Sequence, residues 1–521
     1  MARQIFFAIA LFLSSAGGLV IEIVAGRLIA PYVGMSLYTW TAIIAVVLAG
    51  LSAGHWIGGR LAGRGVDART GAARLAVALA LASASALASL VLLRVLSGPL
   101  LTSGLGPIPV VVVLTTALFL LPSLFVGVVA PVLTKLAIDA APDDPGPVLG
   151  RMYALSTLGS IAGTLGAGYL FISWIGSIGT VLSVACVYAV LALGCLVIGR
   201  RPGPAATALV LAAVTGGLGV WGGAVKAFTS PCTVESDYFC IRIDDVSRMT
   251  GRPSALMALD HLVHSINDRN DPAILYSPYI HFVDEYASMR FQGRDRAAAF
   301  SAFFIGGGGY SLPRAWAAAY PKADLVVAEV DPAVTAAAAD GLWLDPRAKG
   351  LHIHHRDARA LLQELPRAPR FDVVFGDAFR DIAIPSHLIT AEFNHEIAAR
   401  LKPDGFYVVN VVDLGGDPLF LAAYVRTLLA DFPHVEVWAE AEELQAGLAG
   451  GGQRVTYIVV AGKRPFAAPA RIVSLRGLER DWARWPTTAL KTKFGPSTPI
   501  LTDDFAPVDR LMSRLLLTPE N

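Results

Sequence analysis

Glu329, Asp357 and Asp377 close three successive apolar runs, in VVAEVDP, HHRDARALL and FDVVFGDAF. All three lie downstream of a four-glycine turn, Gly306, Gly307, Gly308 and Gly309, in FFIGGGGYSLPR. Glycines let a backbone turn sharply and approach a ligand closely. Glu329 ends the strand that follows the turn and its helix, where an acid accepts hydrogen bonds from ribose hydroxyls. A glycine-rich turn alone is a weak signal, and each acid alone fits a helix N-cap, Asp357 before Ala-Arg-Ala-Leu-Leu most readily. On successive strand ends, in the order a nucleotide-binding βαβ unit requires, the set points to a nucleoside site.

The elements that must position these residues follow from periodicity. Strands are expected at Ala299–Ile305, Leu325–Glu329, Leu351–His354, Val373–Phe375 and Gly405–Val411, with helical patterns between them. Such alternation implies a mostly parallel sheet covered by helices on both faces, with ligands outside the carboxyl ends of the strands. Upstream, period-two alternation predicts strands over Tyr238–Asp244 and Ala255–Asp260, a small β-region.

Everything before this reads as membrane. The chain of 521 residues has a mean hydropathy of +0.56 with only 16% charged residues, and the apolar excess is concentrated before residue 228. Seven spans are expected, near Ile5–Ile29, Leu37–Ile57, Leu75–Val95, Val110–Ala130, Tyr153–Ile172, Thr180–Ile198 and Ala205–Val225. Each is long enough to cross a hydrocarbon core of roughly 30 Å. Gly50/Gly54/Gly58 and Gly159/Gly163/Ala167 repeat at four-residue spacing, as close helix packing requires. Glu22, Arg27 and His55 are ionisable groups at membrane depth, read either as an internal Glu22–Arg27 pair or as a polar site.

The expected organisation is therefore a transmembrane helical bundle over residues 1–228, a small β-region over 229–296, and an α/β Rossmann-type catalytic domain over 297–521. Arg60, Arg64, Arg69, Arg74, Arg200 and Arg201 mark cytoplasmic loops by the positive-inside rule, which carries the chain after an odd number of spans to the opposite face. Cys232 and Cys240 form a disulfide if that face is oxidising, or stay unpaired thiols if it is not. A miscounted span within Ile108–Leu136 restores a cytoplasmic enzyme, so sidedness stays open; the expected location is the cell's inner (plasma) membrane. A formal net charge of +1 leaves no nucleic-acid footprint. Zinc-ligand spacing and a Walker loop are missing as well, so no metal is expected, and His352, His354 and His355 read as structural.

At the motifs ALMALDHLVHS, FFIGGGGYSLPR, VVAEVDP, HHRDARALL, FDVVFGDAF and LITAEFNHEIAARLKPDGFYVVNV, roughly residues 235–440, the chain resembles the spermidine synthase family of polyamine aminopropyltransferases. The architecture as a whole is similar to membrane-fused spermidine synthase-like proteins. The resemblance implies a methyltransferase-like sheet binding decarboxylated S-adenosylmethionine, or S-adenosylmethionine itself, together with a small-molecule amine; a homodimer is a further expectation. By it, Glu329 holds the ribose hydroxyls, Asp357 and Ala358 the adenine, and Gly306 to Gly309 the sulfonium end. Asp377 stands where the family's catalytic aspartate orients and deprotonates the attacking amine.

Several positions depart from the family pattern. Its glycine loop carries an aspartate, contacting the aminopropyl amine, where this chain has Gly309. Its second acid aligns with Arg380, with Asp381 one step later; a Gln aligns with His264, and a Tyr-led acceptor stretch aligns with Tyr276-Ser277-Pro278. Amine-binding carboxylates are therefore expected from elsewhere, with Asp503, Asp504 and Asp509 or Asp284 and Glu285 as candidates beside Tyr276, His264 and Asp381. The leading reading is a membrane-anchored aminopropyltransferase. A methyltransferase comes second, using the space freed at Gly309 for the cosubstrate's carboxylate with Arg314 or Arg380 as its partner. A transporter with a fused sensing domain, motivated by Glu22 and His55, comes third.

Overall fold

In the computed structural model, the described residues run from 2 to 517 except for 64–65, 200–201, 292–299, 381, 451–452, 466–467, 487, 489–493 and 496–497. The chain divides into two compact units, Met1–Asp237 and Tyr238–Asn521.

The first unit is helical. Long apolar helices occupy Ala2–Val33, Leu37–Leu61, Ala68–Leu101 and Pro107–Gly127, the last continuing as Val129–Asp139. They start where side chains or proline satisfy a helix N-terminus: Ser36 accepts from the Thr39 N–H, Asp67 from the Thr70 N–H, and Pro107 opens its helix without an N–H to lose. Five helices among the described residues are long and apolar enough to cross a membrane, against the seven expected. One of the two missing comes from the fifth and sixth expected spans. They share one run, Pro145–Gly199, which a π-turn over Ala167–Phe171 bends and Gly176, with a φ of 71° that no helix residue adopts, breaks between them. The seventh expected span falls on the helix Pro202–Ala224, which is outside those five.

The glycine repeats pack helices. A Cβ on Gly54 would run into the Leu124 carbonyl and lie 2.9 Å from the Gly127 Cα, and one on Gly163 would strike the backbone at Ala16. Two helix pairs thus touch backbone to backbone, which is how apolar helices associate where burial supplies no drive. Arg27 donates to the Ser236 carbonyl at 2.6 Å, so its guanidinium is engaged with backbone. Cys232 and Cys240 are disulfide-bonded, whereas Cys186 and Cys195 are free thiols.

The second unit opens on antiparallel strands Cys240–Asp245, Ser254–Leu259 and Leu262–Asp268. A nine-stranded sheet follows. Its parallel part runs, in spatial order, Leu401–Leu414, Phe371–Gly376, Ser301–Ile305, Asp324–Ala328 and Leu351–His354, matching the five expected strands. Four further strands, His434–Glu440, Arg454–Gly462, Arg471–Ser474 and Arg480–Trp485, extend it antiparallel beyond the expected set. Phe303 and Phe304, adjacent in sequence and both buried, point into two separate cores on opposite faces. That is the period-two signature of a strand covered on both sides.

The topology fixes where a ligand goes. From Ser301–Ile305 the chain adds strands outward in one direction, then returns to place Phe371–Gly376 on the other flank of that first strand. The ends of these two neighbours, Gly306 and Asp377, therefore border the switch point where open α/β sheets take ligands.

Candidate functional site

Gly306 has a φ of 96°, and a Cβ there would lie 2.7 Å from the Asp377 carbonyl oxygen. Only glycine lets the first loop turn away while the two strand ends stay this close. The Asp377 N–H donates to the Ile305 carbonyl at 2.9 Å, which pins the acid to the glycine strand.

Asp377 is held by two side chains. Asn410 Nδ2 donates to Oδ1 and Tyr279 Oη to Oδ2, each at 3.1 Å. Burial pushes the Asp377 carboxyl up to about 6, while these two hydrogen bonds pull the other way. Burial, reinforced by Asp377, raises the Tyr279 phenol well above its ordinary range, so it stays a donor. A cavity beside Asp377 is lined by His264, Ser265, Gly306 to Gly309, Tyr310 and Phe375, among others. Burial, then the neighbouring His261, lowers His264 to about 4, leaving a neutral imidazole at neutral pH.

Glu329 accepts hydrogen bonds from the same loop. Its Oε2 accepts the Gly307 N–H at 2.8 Å and the Gly308 N–H at 3.4 Å, and Oε1 accepts the Asp331 N–H at 2.9 Å. Burial raises its carboxyl, and these backbone donors offset part of that. The loop is further fixed by Asn267, buried, whose Nδ2 donates to the Gly309 carbonyl at 2.8 Å and whose Oδ1 accepts from Ser311 at 2.6 Å.

Asp357 caps the helix Ala358–Glu364, its Oδ1 accepting the Ala360 N–H at 3.0 Å. Its Oδ2 lies 2.7 Å from His387 Nε2, the first cause of a carboxyl held below its usual range.

The structure thus brings Asp377, His264 and the four glycines to one cavity, with Glu329 and Asp357 on the adjoining strand ends. Other expected residues stand elsewhere. Tyr276 donates to Asp268 at 3.4 Å, whereas Tyr279, in the first turn of the helix Pro278–Arg290, reaches Asp377. Asp503 is locked to Arg359 by two 2.6 Å bonds and Asp504 is exposed. Asp284 and Glu285 bind Arg476 and Ser474. Asp381 lies outside the described residues.

The space expected to open at Gly309 is filled. A Cβ there would overlap the Ser265 hydroxyl and lie 2.6 Å from the Ser265 Cβ. Arg314, offered as a partner for a cosubstrate carboxylate, donates to the Asp268 and Arg269 carbonyls at 2.8 and 3.3 Å. Among the described residues no cluster of His, Cys, Asp and Glu fits a metal ion.

Sequence reasoning missed Tyr279, Asn410, Asn267 and His387. Asn410 left a signal, a lone amide inside the apolar run FYVVNVV. Buried amides in strands need partners, and this one found the acid on the neighbouring strand.

No family model matches the chain. It is similar to a polyamine aminopropyltransferase of Vibrio vulnificus, 26% identical over 216 residues, which span 40% of this chain and 68% of that protein. Among solved structures, a probable spermidine synthase from Corynebacterium glutamicum is 20% identical at a TM-score of 0.45, covering 54% of this chain and 99% of that one. A spermidine synthase from Thermotoga maritima is 20% identical at a TM-score of 0.34, covering 44% of this chain and 72% of its own.

Proposed function

We propose that this chain, a transferase whose C-terminal half is spermidine synthase-like, moves an aminopropyl group from decarboxylated S-adenosylmethionine to an amine. The observation that carries the reading is Asp377 at the switch point, its two oxygens steered by Asn410 and Tyr279 toward the glycine-loop cavity.

The donor supplies a sulfonium, which makes the adjoining carbon electrophilic and leaves as a neutral thioether. The amine nitrogen must first lose a proton, because an ammonium has no lone pair. With a carboxyl near 6, Asp377 is mostly ionised at neutral pH, so it attracts the cation and accepts its proton as the nitrogen–carbon bond forms and the carbon–sulfur bond breaks. Tyr279 and Asn410 act as positioning residues, holding the carboxylate in one orientation.

Glu329 fits the ribose role. A carboxylate offers about four lone-pair sites, and three backbone N–H groups leave one for a hydroxyl. Asp357 and Ala358 would meet the adenine, with His387 the group that must share or yield Asp357 Oδ2.

The N-terminal unit would anchor the enzyme as a multi-pass protein of a cell membrane, supported by its five long apolar helices. The disulfide-bonded state of Cys232 and Cys240 supports an oxidising face for the segment around them.

The test is detergent-purified protein incubated with intact or decarboxylated S-adenosylmethionine and a panel of amines. Methylthioadenosine, formed only when amine and decarboxylated donor are both present, is the expected product. S-adenosylhomocysteine would replace the proposal with methyl transfer.

A further inference from the structure

We propose that the N-terminal unit carries a binding site for a singly charged anion of the phosphodiester class, a phospholipid headgroup. The site is a cavity within this unit lined by Arg27, Arg94, Tyr32, Ser177 and Glu235. Its remaining walls are largely apolar, contributed by Leu28, Leu90, Leu93 and Ile178 among others. Guanidinium donors set in apolar walls suit a group with an anionic head and a hydrocarbon body.

The polar groups are built in. Arg94 Nη1 donates to the Tyr32 hydroxyl at 3.3 Å and its Nε reaches the Lys226 carbonyl at 3.4 Å, which aims the guanidinium. Arg27 is braced by the Ser236 carbonyl at 2.6 Å. At Gly176, with φ of 71°, the long helix breaks and restarts, exposing the Ser177 N–H. Glu235 accepts that N–H at 2.9 Å through one oxygen and the Ser230 hydroxyl at 2.8 Å through the other. The one acid of the lining is thus directed at the broken helix and at Ser230.

Ser177 supplies the independent observation. Its hydroxyl is buried, the residue being 3% exposed, and has no hydrogen-bond partner among the described residues. A buried hydroxyl without a partner costs free energy, and a ligand oxygen in the cavity would satisfy it. Two guanidiniums and one carboxylate in the lining favour an anion, and a phosphodiester carries one negative charge. A free phosphate shares this chemistry but has no use for the apolar walls.

The inference rests on the proposed membrane anchoring, which carbonate extraction of membranes checks separately from ligand binding. The direct experiment measures binding to the full-length protein in neutral detergent, by native mass spectrometry and thermal shift. Phosphatidylglycerol, zwitterionic phosphatidylcholine and inorganic phosphate are compared. Saturable phosphatidylglycerol binding is expected, weakened at least tenfold by Arg94→Gln, partly restored by Arg94→Lys, and weakened severalfold by Ser177→Ala. Phosphatidylcholine binding of equal strength, or unchanged affinity in both Arg94→Gln and Ser177→Ala, would overturn the site. Inorganic phosphate binding as tightly as the lipid would overturn the lipid assignment and leave a soluble-anion site. Should Arg94→Gln unfold, Ser177→Ala, which alters no charge, decides.

Discussion

Asp377 and Asp357 follow parallel strands of one sheet with two strands between them, yet the fold has made opposite acids of them. Asp377 is half-buried at the switch point, and desolvation outweighs its two neutral hydrogen-bond donors, so its carboxyl rises to about 6. Asp357 sits at the head of a helix beside His387, and its carboxyl falls below the usual range. Desolvation opposes the charged form, whereas a helix N-terminus and an imidazole favour it. One acid is thereby poised to exchange a proton near neutral pH, and the other stays ionised to hold structure or a ligand.

Asp377→Asn breaks the comparison most directly. Turnover is expected to fall by about 10²- to 10⁴-fold, the usual worth of a positioned general base. Nucleoside affinity measured by calorimetry should stay within about threefold, because the amide keeps the shape but loses the charge. Retained activity would make Asp377 no different in kind from Asp357.

The glycine loop offers the next largest effect. Gly309→Asp forces a side chain into the space of Ser265 and should cost about 1 to 3 kcal/mol, the usual range for overpacking. The unfolding midpoint should drop and recover in the double variant Gly309→Asp/Ser265→Gly. A single variant as stable as the parent would show that the loop has room for an acid.

The pH profile sharpens the contrast. Asp377 works as the carboxylate, so kcat/KM should decline as pH falls through about 6. Tyr279→Phe removes a bond that lowers this pKa, so the acidic limb should move to higher pH, by on the order of one unit. An unshifted limb would assign that titration to another group.

Asp357→Ala carries the smallest effect, about 1 kcal/mol of stability from the lost helix cap. In stability, as distinct from activity, its pH dependence is opposite in sign to that of Asp377, whose raised carboxyl costs stability as pH rises. A carboxyl depressed in the folded state stabilises above its unfolded value and loses that contribution as pH falls through the folded one. Chemical denaturation at pH 7 and at pH 3 should show the deficit of the variant shrinking in acid.

Much of this was legible in the chain. The four glycines, the acid after each apolar run and the five parallel strands follow from local periodicity and from residues with few alternative uses. Helix packing through Gly54 and Gly163 was equally readable, since small residues at four-residue spacing share one helix face. Tyr279, which holds Asp377, was not legible, because nothing local marks which residue of the first turn of Pro278–Arg290 meets a strand end 98 residues away. Asp503 was offered as an amine-binding acid, but its partner Arg359 lies far away in sequence and only the folded chain brings them together. The run Pro145–Gly199 breaks at Gly176, in the gap between the expected spans Tyr153–Ile172 and Thr180–Ile198.

By itself the sequence determined what repeats locally: apolar helices at one end, alternating strands and helices at the other, and glycines and acids at strand ends. Tertiary structure alone decided which acid is desolvated, which tyrosine and amide hold it, and that Ser265 fills the place beside Gly309. The reason is physical. Periodicity is a property of neighbours in the chain, whereas burial, charge and hydrogen-bond partnership belong to neighbours in space, and strands distant in sequence supply them.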